Sequence, residues 1–247
     1  PVGKVLAIAE RLDTLAGGFT AGLKPTGNKD AFALRRNALG LARTIIESGF
    51  ELPLAECVTQ ALELQPTKLE GQALDLVLVD IVDFIYERLR GYYADKGVPA
   101  THFNAVTENG RASLYDFDTR LDAIRQFATL REAEALAAAN KRINNILKKA
   151  DVEIPHAIDR SLLNDPAESA LAEAVEAALG DTDEALHHHD YIRVLSRLAL
   201  LRPQVDAFFD SVMVNVEDVA IRKNRLALLK RLADRFRAVA AIEHLSN

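Results

Sequence analysis

The chain has 247 residues, 49% of them hydrophobic, and a formal net charge of -6 at pH 7, which describes a globular protein of one large or two ordinary domains. No apolar stretch approaches the roughly 20 residues of a membrane-spanning helix, and the N-terminus lacks the basic-then-apolar pattern of a secretory signal. The single cysteine, Cys57, excludes an internal disulfide, so we expect a protein of the reducing cytoplasm.

Apolar periodicity predicts helices from the first residues onward. The opening PVGKVLAIAERLDTLAGG has no initiator Met and is already periodic, which favours a fragment of a longer protein. Two later stretches also repeat an apolar residue every three or four positions. These are Leu34, Ala38, Leu41 and Ile45, and then Leu74, Leu78, Ile81, Ile85 and Leu89.

Clusters of glycine, proline and polar residues separate the predicted helices. They lie at 17–18, 24–27, 49–53, 65–71, 97–99, 108–113, 151–155, 165–166 and 180–183. Sustained apolar-polar alternation, the pattern of a half-buried strand, is absent. The sequence therefore predicts an all-α protein of about ten helices.

Charge is divided unevenly along the second half of the chain. Residues 141–150 contain four cations and no acid, residues 165–190 contain eight acids and no Lys or Arg, and residues 221–237 contain seven cations and one acid. A surface divided in this way can steer a polyanion onto one face of a protein. The alternative is that these are the ordinary charged outer faces of amphipathic helices.

Helical geometry gives these two basic stretches an apolar face and a basic face each. At 100° per residue, Lys223, Lys230 and Arg237 fall within about 40° of one another. The opposite side carries the apolar residues Leu229, Leu232, Phe236 and Val239. In 141–150 the predicted buried stripe is Ile143, Ile146 and Leu147, and the cations project away from it. We predict that the two basic faces share one side of a domain and form one binding surface.

Three longer stretches resemble a known family. They are KPTGNKDAFALRRNALGLARTIIE at 24–47, AAANKRINNILKKAD at 137–151 and PQVDAFFDSVMVNVEDVAIRKNRLALLKRL at 203–232. All are similar, in order, to the C-terminal third of the bacterial glycyl-tRNA synthetase beta subunit. The resemblance implies the end of an HD-type helical domain at 1–53, a helical linker at 54–135, and at 136–247 an anticodon-binding bundle like that of arginyl-tRNA synthetases.

The resemblance also implies a function. Such a chain would hold tRNA(Gly) for ATP-dependent attachment of glycine at the active site of a separate alpha subunit, in a heterotetramer of two alpha and two beta subunits. ATP and Mg would belong to that holoenzyme, and this fragment would carry no catalytic centre. Lys and Arg side chains would contact the phosphates. Side-chain amides would form hydrogen bonds with unstacked bases. The predicted tRNA-binding residues are Lys141, Arg142, Asn144, Asn145, Lys148, Lys149, Arg222, Lys223, Lys230 and Arg237, with Asn140 as a further amide.

Two rival functions stay open at this point. IAERLDTLAGGF resembles the end of an HD domain, and Asp13 stands where HD phosphohydrolases place their final metal-binding Asp. No His precedes it here, so we favour an HD-derived domain without hydrolase activity. The HHHD run at 187–190 does not supply the missing ligands, because consecutive helical residues point about 100° apart. The other rival is a helical scaffold whose basic faces bind acidic proteins.

The KPTGNKD loop could also meet an anion. It lacks the spacing of a Walker A loop, and Asp30 is more simply the N-cap of a helix that begins near Ala31. The candidates for a tRNA backbone contact here are Lys24, Lys29, Arg35 and Arg36.

Arg225 differs from the other cations of 221–237. It falls about 200° from Lys223 on the helical wheel and so points toward the core, where an unpaired guanidinium is costly. We therefore predict that Arg225 forms a structural ion pair with Asp206 or Asp210, the nearest acids on the preceding helix.

Overall fold

The computed structural model describes residues 2–27, 29–111 and 113–246, and within these ranges the regular structure is helical, with two isolated β-bridges. The predicted all-α class is confirmed. None of the helices in these ranges is both long enough and apolar enough to cross a membrane. The α-helices are α1 Val2–Thr20, α2 Leu34–Ser48, α3 Leu54–Glu63, α4 Gln72–Asp95, α5 Ala100–Thr107, α6 Leu114–Phe127, α7 Ala133–Lys148, α8 Pro166–His187, α9 Tyr191–Ala199, α10 Arg202–Ser211 and α11 Val219–Arg237. Short 3-10 turns lie at Arg160–Leu162 and Ile242–Leu245.

The chain forms two compact units. The first comprises Pro1–Ala100 with Gly110–Asp118, and the second comprises Thr101–Asn109 with Thr119–Asn247. The chain therefore passes between them three times, within α5, after Asn109 and within α6. The finer division into 1–53, 54–135 and 136–247 stays a prediction.

In the first unit, α1 packs against α2, α3 and α4. The predicted stripe of α2 is buried, as are the three C-terminal members of the α4 stripe. The predicted break at 17–18 is wrong, because α1 continues through both glycines. A Cβ at Gly18 would lie 2.9 Å from a Leu34 methyl carbon, so the missing side chain allows α1 to approach α2 closely.

In the second unit, α8 packs against α9, α10 and α11, while α7 packs against α10, α11 and the last 3-10 turn. Helix α8 begins where Asp165-Pro166 predicts, with Asp165 and Glu168 forming a reciprocal capping box. The predicted break at 180–183 is wrong. Gly180 lies within α8 on an exposed face, where its cost of about 1 kcal/mol relative to Ala is offset by the packing of the rest of the helix.

Candidate functional site

Four exposed cations cluster at the C-terminal end of α7. The helix is anchored by Ile143, which is 1% exposed, and its predicted stripe members Ile146 and Leu147 are half-buried. Among the described residues, no acidic group lies within 4.0 Å of any of the four cations. These four, called here the α7 cations, are Lys141, Arg142, Lys148 and Lys149.

A pocket of about 440 Å³ lies on one side of α7. Its lining combines three of the α7 cations, two side-chain amides and two apolar side chains, and contains no acid. We call it the α7 pocket; it is lined by Ala138, Lys141, Arg142, Asn145, Ile146, Lys149 and Asn215. The Cζ atom of Arg142 lies 4.1 Å from the centroid of the Phe209 ring, so the guanidinium rests on the face of that ring.

A groove of about 410 Å³ lies between α7, α11 and the last 3-10 turn. It holds Lys148 of α7 together with Lys230 and Arg237 of α11, so parts of the two predicted basic faces meet here. Lys223, the third predicted member of the α11 face, is half-buried and does not line the groove. The groove is of mixed charge, because Asp234 and Glu243 also line it. We call it the α7–α11 groove; its other lining residues are Asn144, Leu147, Ile154 and Ala233.

Most cations of α11 are paired with acids inside the second unit. Arg222 lies 3.6 Å from Asp151, and the Lys230 ammonium lies 2.6 Å from Asp234. Arg237 lies 3.4 Å from an oxygen of Glu108. The basic stretch at 221–237 is therefore largely neutralised, whereas the α7 cations are not.

The acidic helix α8 supplies part of this neutralisation. Its Asp183 pairs with Arg235 of α11, and its Asp181 lies 2.7 Å from Arg197 of α9. The uneven charge along the sequence thus partly reflects complementary helix faces that pack together. This accounts for much of the charge at 165–190 and 221–237 without any external partner.

The predicted partner of Arg225 is wrong. Arg225 is 11% exposed, as its position on the helical wheel predicts, but its guanidinium pairs with the fully buried Glu168. Asp206 instead lies 3.4 Å from Arg202, on the exposed side of α10. Asp210 is exposed as well. The physical reason is that Glu168, at the start of α8, faces the inner side of α11.

Two of the amides predicted to read bases are engaged within the protein. The Nδ2 atom of Asn144 donates to Glu243 Oε1 at 2.8 Å, and that of Asn140 donates to Glu243 Oε2 at 2.9 Å. Asn140 is only 3% exposed. A base-reading role for Asn144 is therefore corrected to a structural one, and Asn145 is the predicted amide that faces solvent.

The Glu108 carboxylate links the ends of α5 and α11. It accepts hydrogen bonds from His244 and from Arg237. The hydrogen bond with His244 and the charge of Arg237 hold the pKa of Glu108 below its usual value. These contacts fix the last 3-10 turn, and with it Glu243, against the rest of the second unit.

In the first unit, the KPTGNKD loop is held by its own side chains, and Asn28 lies outside the described residues. The prediction of Asp30 as the N-cap is wrong in position, because α2 begins at Leu34 and its N-cap is Ala33. The Asp30 carboxylate still accepts hydrogen bonds from the first backbone N–H groups of α2, those of Leu34 and Arg35. The Arg35 guanidinium donates to the Gly27 carbonyl at 2.7 Å.

Of the four side chains of this loop that were predicted to contact the tRNA backbone, two are engaged within the protein and two are exposed without an ion pair among the described residues. Lys24 lies 2.7 Å from Asp80 in an exposed ion pair, and Arg35 is committed to the loop. Arg36 is exposed and has no ion pair among the described residues. Lys29 is exposed as well, although its backbone carbonyl accepts from Arg35.

Asp13 is held in a structural contact. Its carboxylate accepts a hydrogen bond at 2.9 Å from the side-chain amide of Gln65, which is 7% exposed. In the part of the chain that the structure describes, Asp13 belongs to no group of three His, Cys, Asp or Glu side chains that could share a metal ion. The phosphohydrolase alternative is not favoured.

Sequence reasoning missed Asn215 and Phe209 as parts of the α7 pocket and its support. Both come from α10 and the segment that follows it, about 70 residues away from α7 along the chain. No local periodicity marks Asn215, because it lies between helices. Only the packing of α10 against α7 brings this segment to the α7 cations.

Comparison with known proteins gives two family matches. The model of the glycyl-tRNA synthetase beta subunit matches residues 1–108, and that of the DALR anticodon binding domain matches residues 136–242. A glycine–tRNA ligase beta subunit from Xanthomonas campestris pv. campestris (strain B100) is 69% identical over 250 residues, covering 100% of this chain and 36% of the relative. One from Xylella fastidiosa (strain Temecula1) is 54% identical, covering 100% of this chain and 38% of the relative. One from Pseudomonas aeruginosa (strain LESB58) is 45% identical, covering 98% and 35%.

Proposed function

Because this chain belongs to the glycyl-tRNA synthetase beta subunit family and spans little more than a third of the length of its relatives, we propose that it is a tRNA-binding part of such a subunit. The match of residues 136–242 to an anticodon binding domain supports this function for the second unit. The α7 cations are the surface that we assign to tRNA.

The observation that carries this assignment is the contrast between α7 and α11. A cation that is already paired with an acid gains little from a phosphate, since one ion pair replaces another. The α7 cations have no acid within 4.0 Å among the described residues, while Arg222, Arg225, Lys230, Arg235 and Arg237 are all paired. Polyanion binding is driven by the release of counterions from phosphates, and unpaired cations release them at the lowest cost.

In the complete enzyme, this part would grip tRNA(Gly) so that the acceptor end reaches an active site on the alpha subunit. Glycine would be attached there with ATP and Mg²⁺, in a cytoplasmic heterotetramer of two alpha and two beta subunits. The chain described here would bind and orient the tRNA and would take no part in the chemistry of the ligase reaction.

A filter-binding titration of the full-length beta subunit with tRNA(Gly) and a non-cognate tRNA, at two salt concentrations, tests the proposal. We expect salt-dependent binding of both, with tRNA(Gly) bound more tightly. The scaffold alternative predicts no tRNA binding. The phosphohydrolase alternative predicts metal-dependent release of phosphate, which we do not expect.

A further inference from the structure

The α7 pocket combines apolar, amide and cationic side chains. It is an open depression of about 440 Å³ on the surface. Ala138 and Ile146 provide an apolar surface, Lys141 and Lys149 provide positive charge, and the remaining lining carries an arginine and two amides. A nucleotide likewise combines a flat apolar ring, polar ring edges and anionic phosphates.

The arginine is already held in place. Its guanidinium rests on the Phe209 ring, with Cζ 4.1 Å from the ring centroid. This contact with an aromatic ring restricts the motion of the Arg142 side chain. Arg142 is nevertheless exposed and has no acid within 4.0 Å among the described residues. A planar cation supported in this way can stack on an unstacked base.

The two amides are available for hydrogen bonds. Asn145 and Asn215 are both exposed, and neither side chain has a hydrogen-bond partner in the part of the chain that the structure describes. Each carries two N–H donors and one carbonyl acceptor, a set that matches the polar edge of a base. This distinguishes them from Asn144, whose amide nitrogen is engaged with Glu243.

We propose that the α7 pocket binds one unpaired nucleotide of the tRNA and contributes to its discrimination. The base stacks on Arg142, its edge is read by Asn145 and Asn215, and the flanking phosphates lie near Lys141 and Lys149. This inference rests on the proposed tRNA-binding function and adds to it the site and the residues that select a base. The α7–α11 groove is the poorer candidate, because Asp234 and Glu243 in its lining oppose a phosphate.

The test uses the full-length beta subunit and transcripts of tRNA(Gly), either unchanged or with single substitutions among the unpaired bases of the anticodon loop. Asn145→Ala and Asn215→Ala should each reduce the preference for unchanged tRNA(Gly) over at least one substituted transcript by roughly tenfold, the effect of removing one bidentate hydrogen-bonded pair with a base. Arg142→Lys keeps the positive charge but removes the planar guanidinium on which the base would stack. It should weaken binding of tRNA(Gly) several-fold.

Two adjacent lysines at the end of α7 provide a matched comparison, in which Lys148 is the control for Lys149. Lys149 lines the α7 pocket and Lys148 lines the groove, and both are exposed with no acid within 4.0 Å in the described residues. Lys149→Gln should weaken tRNA(Gly) binding more than Lys148→Gln does, with equal thermal stability of the two variants. Equal affinities for Lys148→Gln and Lys149→Gln, with unaltered discrimination in both Asn variants, would overturn the pocket while leaving tRNA binding intact. A wild-type protein that binds no tRNA would overturn the proposed function itself.

Discussion

Arg225 and Glu168, 57 residues apart in sequence, form an ion pair in which the carboxylate is fully buried and the guanidinium side chain is 11% exposed. The second oxygen of Glu168 accepts hydrogen bonds from the backbone N–H groups of Asn164 and Asp165, at 2.7 and 2.9 Å. Arg225 also donates to the Met213 carbonyl at 2.8 Å. This one pair therefore joins the start of α8, the segment before α11, and α11 itself.

Arg225→Gln should destabilise the second unit strongly. It leaves the buried carboxylate of Glu168 without its cation, a change that costs about 3–5 kcal/mol in comparable buried pairs. The two backbone hydrogen bonds to Glu168 remain, so we expect the lower end of that range. Urea denaturation measures the free energy of unfolding.

Arg202→Gln is the control for Arg225→Gln. Arg202 forms an exposed ion pair with Asp206 on α10, with side chains 39% and 53% exposed, and donates to the Arg131 carbonyl at 3.2 Å. Its removal should lower the free energy of unfolding by no more than about 1 kcal/mol, well below the loss in Arg225→Gln. Equal effects of the two substitutions would contradict a structural role for Arg225.

Asn144 and Asn145 should behave differently although they are neighbours on α7. Asn144→Ala removes a hydrogen bond to the Glu243 carboxylate and should cost about 1–2 kcal/mol of stability. Asn145→Ala removes no hydrogen bond among the described residues and should leave stability unchanged. Thermal denaturation of the two variants checks this, and an equally stable Asn144→Ala would argue against the Glu243 hydrogen bond.

The sequence predicted what depends on local periodicity. The buried stripes of α2 and α11 follow from three- and four-residue spacing, and the start of α8 follows from its N-cap. It failed where tertiary packing overrides local preference. Glycine has a low helix propensity and so predicts a break. The helix α1 nevertheless continues through Gly18, where the missing side chain leaves room for the Leu34 side chain of α2.

The candidate site could be predicted only in part, for a related reason. The four α7 cations are close together in sequence and could be found there. The partner of Arg225 could not be found in this way, because the prediction chose the acids nearest to Arg225 along the chain. Glu168 lies 57 residues away and comes close to Arg225 only when α8 packs on α11. Asn215 lies between helices and enters the α7 pocket through the same kind of long-range packing.

Gly18→Ala should destabilise the first unit. The added Cβ would lie 2.9 Å from a buried Leu34 methyl carbon, and such overpacking costs about 1–3 kcal/mol, against about 1 kcal/mol gained in helix propensity. Gly91→Ala in α4 is the matched control, since a Cβ there meets no atom within 4 Å. The control should be neutral or slightly stabilising in urea denaturation. A stabilising Gly18→Ala would mean that α1 and α2 do not approach closely there.

Glu108→Gln should reduce the dependence of stability on acid pH. The hydrogen bond from His244 and the charge of Arg237 lower the folded pKa of Glu108, so its contribution is complete above the unfolded pKa of about 4.3 and disappears as the pH falls through the folded pKa. The free energy of unfolding of the wild-type protein should therefore exceed that of the variant at about pH 6. This difference should be smaller at about pH 3. Urea midpoints at the two pH values measure this. A difference that does not change with pH would show that the Glu108 carboxylate contributes no linked stability.

The salt dependence of tRNA binding after neutralising the α7 cations tests the central claim most directly. We expect the full-length beta subunit with Lys141, Arg142, Lys148 and Lys149 all changed to Gln to bind cognate and non-cognate tRNA more weakly. Its stability should fall by no more than about 1 kcal/mol, the loss of the Arg142 contact with Phe209. The slope of log K against log salt should become shallower by about 0.7–0.9 for each phosphate that the variant no longer neutralises. The double variant Lys223→Gln with Lys230→Gln, in which Lys230 is already paired with Asp234, should change that slope less. A quadruple variant with the wild-type slope and affinity would contradict the assignment of tRNA to this surface.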